Sequence, residues 1–139
     1  MAESFSFELI TPVKTLVAEN VQEVTVPAYD GECGVLPGHE NFVGLLGTGA
    51  LKFVKNGDDF WYVVSSGIYQ VRNGQLIILT ELGEEAAQVK IEEARNRLVE
   101  LDKEIASSEA DPQAVEALLL ERERCEARLE VYNRTHVVN

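Results

Sequence analysis

The spacing of apolar residues changes once along this chain, near Gly83, and that change restricts the fold to a β block followed by helices. Up to about Thr80 the repeat is two. Phe5, Phe7 and Leu9 alternate with Ser6, Glu8 and Ile10, and Val24 and Val26 alternate with Glu23, Thr25 and Pro27. Side chains of a strand point to opposite faces in turn, so this alternation lays one apolar face on a core. Phe60-Trp61-Tyr62-Val63-Val64 and Gln75-Leu76-Ile77-Ile78-Leu79-Thr80 are denser runs, as expected of central strands covered on both sides. Asn56-Gly57 and Asn73-Gly74 each supply the two positive-φ residues of a type I′ turn, which predicts two tight hairpins. Short strands, frequent turns and no helical spacing predict an antiparallel β-sandwich over residues 1–83.

Beyond Gly83 the spacing is helical. Ala87, Ile91, Ala94, Leu98, Leu101 and Ile105 recur at alternating fours and threes, which draws one apolar stripe along a helix predicted over about 85–106. Ser107-Ser108-Glu109-Ala110 interrupts the stripe. Asp111-Pro112 then restarts it with an N-cap acceptor and a proline at the first helical position, where the missing N–H costs nothing. The second helix is predicted over about 112–133, with a seam of Val115, Leu118, Arg122, Cys125, Leu129 and Tyr132. Two such helices with a short connection pack stripe to stripe as an antiparallel hairpin, residues 84–139. Arg122 occupies a seam position where a leucine is expected. Its stem packs while its head reaches water or an acid of the facing helix, or else it awaits an anionic partner. One narrow stripe against a two-sided core marks the hairpin as the less firmly held unit, able to change partners.

The formal charge is -12 over 139 residues. Such a chain lacks the clustered cations that displace counterions from nucleic acid, and anionic lipid repels it. Met1-Ala2-Glu3-Ser4-Phe5 has neither a basic flank nor a long apolar run, so it reads as neither a signal nor a transit peptide. No stretch approaches the roughly 20 apolar residues of a bilayer span, so direct membrane insertion is not expected. Cys33 and Cys125 lack CxxC or Cys/His spacing and read as free thiols.

Between the strands lies Asp30-Gly31-Glu32-Cys33-Gly34-Val35-Leu36-Pro37-Gly38-His39, whose glycines and proline describe a tight, shaped loop. Preceded by Val24-Thr25-Val26-Pro27, this string resembles the signature of the epsilon subunit of bacterial and plastid ATP synthases. The resemblance continues through Gly49-Ala50-Leu51, Ser66-Gly67-Ile68-Tyr69-Gln70-Val71 and the charged C-terminal hairpin, nearly the whole chain. Two departures stand out. Glu40-Asn41-Phe42 replaces the small residue and proline usual after the histidine, and Ile91-Glu92-Glu93-Ala94-Arg95-Asn96 replaces an Ile/Leu-Asp-x-x-Arg-Ala string with which some members bind ATP.

The resemblance implies a non-catalytic rotor subunit of the central stalk. Its sandwich attaches to the gamma subunit and to the polar loops of the c-ring, with Asp30, Gly31, Glu32, Pro37, Gly38 and His39 matching the ring-contacting loops. Its hairpin inhibits ATP hydrolysis by extending into the alpha-beta head, where Arg122, Arg124, Arg128 and Arg134 meet acidic segments of the beta subunits. No cofactor is required, although ATP binds weakly at the hairpin in this reading, through Arg95 on the first helix and Arg122, Arg124 and Arg128 on the second. The position implied is peripheral, on the cytoplasmic face of the bacterial plasma membrane or the stromal face of thylakoids. Plainer readings stand beside these: the loop only closes the sandwich, and the arginines pair with the interleaved Glu121, Glu123, Glu126 and Glu130. A stand-alone β-sandwich adaptor with a helical arm is the alternative function. An enzyme is a poor fit, because His39 near Asp30 and Glu32 has no matched nucleophile, metal set or phosphate loop beside it.

Overall fold

The computed structural model describes residues 3–107 and 111–136, so of the interruption read at Ser107-Ser108-Glu109-Ala110 only Ser107 is described, and it is helical, while the opening Met1-Ala2 lies outside the described residues. Seven strands come first: β1 (Phe5–Ile10), β2 (Thr15–Val21), β3 (Glu23–Ala28), β4 (Gly31–Val35), β5 (Phe42–Lys55), β6 (Asp58–Arg72) and β7 (Gln75–Glu85). A short 3-10 turn (Ala86–Gln88) leads to helices α1 (Ile91–Ser107) and α2 (Pro112–Thr135). The strands are hydrogen-bonded in the order β2-β1-β7-β6-β5-β3-β4, a continuous sheet folded over on itself as a sandwich. Phe7 of β1 and Phe53 of β5 meet across the core with ring centroids 5.5 Å apart. Around them Leu9, Val21, Val24, Val26, Leu51, Val64, Leu76 and Ile78 are fully buried, each contributing about 1.5–3 kcal/mol by removal from water.

Both Asn-Gly hairpins form. Asn56 and Gly57 take φ of 53° and 83°, Asn73 and Gly74 take 50° and 77°, and Lys55↔Asp58 and Arg72↔Gln75 close the ladders. Three expectations are corrected. The sheet is mixed, because β1 runs parallel to β7; strands linked by hairpins must be antiparallel, but five strands separate these two in sequence and leave their sense free. The string from Asp30 to His39 is half strand, with β4 pairing antiparallel to β3 from Ala28↔Gly31 to Val24↔Val35. The first helix starts at Ile91 and not near 85, since β7 continues its ladder with β6 to Tyr62↔Glu85 and those backbone groups are already paired. Gln88 then caps the Glu85 N–H at 3.1 Å, and Val89 is extended, which ends the turn before α1 begins.

One kink crosses β6 and β7. Ser66 and Gly67 have φ of 65° and 153°, and a Cβ on Gly67 would lie 1.9 Å from the carbonyl oxygen of Leu79. The outward side chains of β6 shift by one there, from Val63 and Ser65 before the kink to Ile68 and Gln70 after it, while the pairing with β7 stays in step. The outer surface is thereby divided into two areas.

Candidate functional site

The first area is covered by the hairpin. Val63 points outward from β6 and is fully buried under Ala127 and Val131 of α2, with Trp61, Leu82, Ala86, Val89 and Ala50 packed around them. Helix α2 is the middle layer: one face lies on β5 and β6 and another meets α1, which packs chiefly on α2. The seam between the helices holds Ala94, Leu101 and Cys125 as its buried residues, and Ile91, Leu98, Ile105, Val115, Leu118, Leu129 and Tyr132 are half-buried. Ala87 is a correction, since it sits in the 3-10 turn and is exposed. The sheet-facing side of α2 escaped the sequence reading, although it was written there: Leu120, Arg124, Ala127 and Val131 repeat at four, three and four, the same spacing as the seam, and the strong seam pattern hid the second stripe.

The arginines fall into two sets. One closes the hairpin on itself. Arg97 donates from Nε and Nη2 to both Glu121 oxygens at 2.6 and 2.9 Å, and from Nη1 to Glu100 and Glu104 at 3.1 Å each. Those hydrogen bonds hold Glu121 below the usual carboxylate range. Arg122, the misfit of the seam, sends its head across to Asp102 at 2.7 Å and along its own helix to Glu126. The other set ties α2 to the sheet. Arg124 Nε donates to the hydroxyl of Ser65 at 2.8 Å, and its Nη2 reaches Glu81 at 3.3 Å. Arg128 donates from Nε and Nη2 to the two oxygens of Glu84 at 2.8 and 2.9 Å, a fork-to-fork pair. Glu84 is the main reason the Arg128 guanidinium is held more firmly protonated than usual. Ser65 is itself fully buried and bonded to Thr48 at 2.8 Å, so Arg124 hooks onto a rigid hydroxyl pair.

The two remaining arginines of the hairpin sit near the end of α2. Arg134 pairs with Glu130 at 3.5 Å and lies over the Trp61 ring at 5.6 Å; Arg95, on α1, pairs with Glu92 at 2.7 Å and lies over Tyr132 at 5.9 Å. The four arginines of the ATP reading are therefore not brought together: Arg122, Arg124 and Arg128 point to α1, to Ser65 and to Glu84 in turn. A cleft of about 630 Å³ does open between β7, α1 and α2, with Lys90, Arg97 and Arg128 facing Glu84, Glu93, Glu100 and Glu121.

The second area of the outer sheet is bare. Leu45, Ile68 and Leu79 stand side by side across β5, β6 and β7, with exposures of 61%, 39% and 43%, and Val43 is 62% exposed in the next row but one. Cross-strand rows of this kind normally face a core. Of the ring-contact candidates, Asp30, Gly31, Glu32 and Gly38 are exposed and Pro37 and His39 partly so. They flank the two ends of β4, an edge strand whose five residues span about 16 Å at ~3.3 Å each. Gly31 and Gly38 take φ of 129° and 83°, and the turn after β4 is closed by the His39 N–H donating to the Leu36 carbonyl at 3.1 Å. His39 places Nδ1 2.9 Å from the Glu40 carbonyl, and Asn41 accepts from the Asn73 N–H at 2.9 Å, which fastens this segment to the β6–β7 turn. Among the described residues no His, Cys, Asp and Glu group could hold a metal ion, and no helix is long and apolar enough to cross a membrane.

Comparison with known proteins agrees with this architecture. Residues 4–86 match the family model described as ATP synthase, Delta/Epsilon chain, beta-sandwich domain. The chain is 35% identical over 129 residues to the ATP synthase epsilon chain of Solibacter usitatus, covering 93% of this chain and 96% of that one. It is 37% identical over 98 residues to the epsilon chain of Geotalea daltonii, covering 70% and 71%. Among solved structures, a chain of the Euglena gracilis mitochondrial ATP synthase OSCP/F1/c-ring assembly superposes with a TM-score of 0.81 at 26% identity, over 91% of this chain and 79% of that chain. A chain of the Tetrahymena thermophila central stalk and c-ring shares the fold, with a TM-score of 0.62 at 12% identity over 97% and 98%.

Proposed function

This chain belongs to the epsilon-chain family of ATP synthases, and from that premise we propose that its sandwich is the anchor in the rotor and its hairpin the regulator. It is a non-catalytic central-stalk subunit. The observation that carries the division of labour is the split outer sheet. One half is covered by the chain's own α2 through a small apolar contact, and the other half presents the bare row Leu45, Ile68 and Leu79 with Val43. In this reading the bare row is the seat of the gamma subunit, an apolar surface that a permanent partner covers. The edge around β4, with Asp30, Gly31, Glu32, Pro37, Gly38 and His39, meets the polar loops of the c-ring, where an exposed carboxylate sets register more than affinity. The hairpin leaves the sheet to engage the alpha and beta subunits and obstruct hydrolysis. The whole lies peripherally, on the cytoplasmic or stromal face of the membrane that holds the ring.

ATP has only a weak hold on the hairpin in this reading. Four carboxylates face three cations in the cleft, and Arg97 and Arg128 are already engaged by Glu121 and Glu84. A triphosphate must displace those acids and then sit among them.

The test is to add the chain to an epsilon-depleted ATP synthase head and measure binding and ATPase rate together, beside a chain cut after Gln88. The cut form, which keeps β7 and its capping turn, is expected to bind like the full chain and to leave hydrolysis faster. A cut form that no longer joined the stalk would contradict the anchor role. One that inhibited as well as the full chain would contradict the regulatory role.

A further inference from the structure

Arg128 and Glu84 form the most enclosed ion pair among the described residues, with side chains 23% and 26% exposed. The pair has the two-pronged geometry of guanidinium on carboxylate, which any acidic protein surface can reproduce. Arg124, one turn away, has the same character at lower strength, held by Ser65 and by the more exposed Glu81. Both arginines are bound to the sheet by groups of β6 and β7, whereas Arg97 and Arg122 are bound within the hairpin by Glu121 and Asp102. The chain thus keeps two sets of ties that break in different events, one on undocking and the other on splitting of the helices.

We propose that Glu84, with Glu81 and Ser65 beside it, stands in for the acidic surface that Arg128 and Arg124 meet on the partner, so that docking on the sheet and docking on the partner compete for the same guanidinium groups. The inference rests on the regulatory reading of the hairpin and deepens it by naming the residues that set its balance. A released hairpin keeps Arg97–Glu121 and Arg122–Asp102, so α1 and α2 leave the sheet together and Arg128 arrives unpaired at the partner. The released guanidinium is hydrated, and the two-pronged bond to a carboxylate recaptures it on whichever surface offers one. An intact Glu84 therefore restrains inhibition, and the strength of that restraint is set inside this chain.

The experiment uses full-length chains in two variants. Glu84→Gln keeps the shape and one acceptor but removes the charge. Amide exchange in α2 of the free chain is expected to rise about tenfold, and the concentration giving half-inhibition of an epsilon-depleted head to fall by a similar factor. The exchanged pair, Glu84→Arg with Arg128→Glu, restores a fork across the same gap. Its α2 protection is expected to return to within about threefold of the parent, while inhibition weakens at least about tenfold because a carboxylate now faces the partner's acids. Amide protection in β1 and β7 serves as the control that the sandwich is folded. Unchanged exchange in Glu84→Gln overturns the proposal, and so does an exchanged-pair chain that inhibits like the parent. Failure of the cut chain to raise hydrolysis is a separate result and defeats the regulatory reading itself.

Discussion

Val131 tests whether the hairpin is held as a unit apart from the sandwich. Its side chain is fully buried, yet its neighbours are Val63, Ala127 and the residues around them, outside the sandwich core. Val131→Ala removes two methyl groups at about 0.8 kcal/mol each and leaves a cavity worth about 1 kcal/mol more. Alanine regains about 0.5 kcal/mol as the better helix former. The net loss is about 2 kcal/mol, roughly a thirtyfold rise in the undocked fraction at 1.4 kcal/mol per factor of ten. Undocking leaves α2 only its contact with α1, and a helix held on one side opens more readily, so its amides become available to exchange. Native-state hydrogen exchange should therefore show α2 amides about thirtyfold faster and those of β1 and β7 unchanged. Leu76→Ala, inside the sandwich, is the counterpart and should lower protection in β1 and β7 by about 2–5 kcal/mol, reaching α2 only where unfolding of the sandwich becomes easier than undocking of the hairpin. If Val131→Ala accelerated β1 and β7 as much as α2, sandwich and hairpin would open as one body and the regulatory argument would lose its footing.

Two further outcomes follow from single contacts. Gly67→Ala drives a Cβ into the Leu79 carbonyl and forces a φ that L residues rarely adopt, so the kink must open; a loss above about 3 kcal/mol is expected in urea unfolding, and a variant within about 0.5 kcal/mol of the parent would remove the close approach as its cause. The Arg97 hydrogen bonds depress the native pKa of Glu121 below its ordinary 4.5, so its contribution is complete above that pH and is lost as pH falls through the depressed value; far-UV circular dichroism melts should show the hairpin weakening in that acid window, and Glu121→Gln should flatten the dependence.

What could be read from the sequence was local. Asn56-Gly57 and Asn73-Gly74 carry their own turn geometry, and Asp111-Pro112 starts α2 with the Asp111 carboxylate accepting from the Gln113 N–H at 3.0 Å. The parallel partnership of β1 and β7 was not legible, because no short-range signal reports on strands some seventy residues apart. The start of α1 was misplaced because Ala87 and Ile91 fit a helical stripe on spacing alone, while the deciding fact was the sheet's hold on Gly83–Glu85. At the candidate site, the residue types were visible and their partners were not. Arg122, Arg124 and Arg128 are three basic residues of one helix, and only the packed structure separates a tie to α1 from two ties to the sheet.

The layer order gives the hairpin its dependence. Helix α1 draws its burial from α2, through Ala94 and Leu101, and α2 draws its own from both α1 and the sheet. Removing α2 from the sheet therefore costs one interface and leaves the other intact, whereas removing α1 first would strip α2 of a face it still needs. The sheet interface is the smaller in apolar content, with Ala127 and Val131 as its buried helix residues, and its polar ties are carboxylates and a hydroxyl that a competing acidic surface can replace in kind. Van der Waals packing has no such substitute at hand. The route of least cost is then departure of the paired helices from Val63, which breaks the ties of Arg124 to Ser65 and of Arg128 to Glu84 and keeps those of Arg97 and Arg122 within the hairpin.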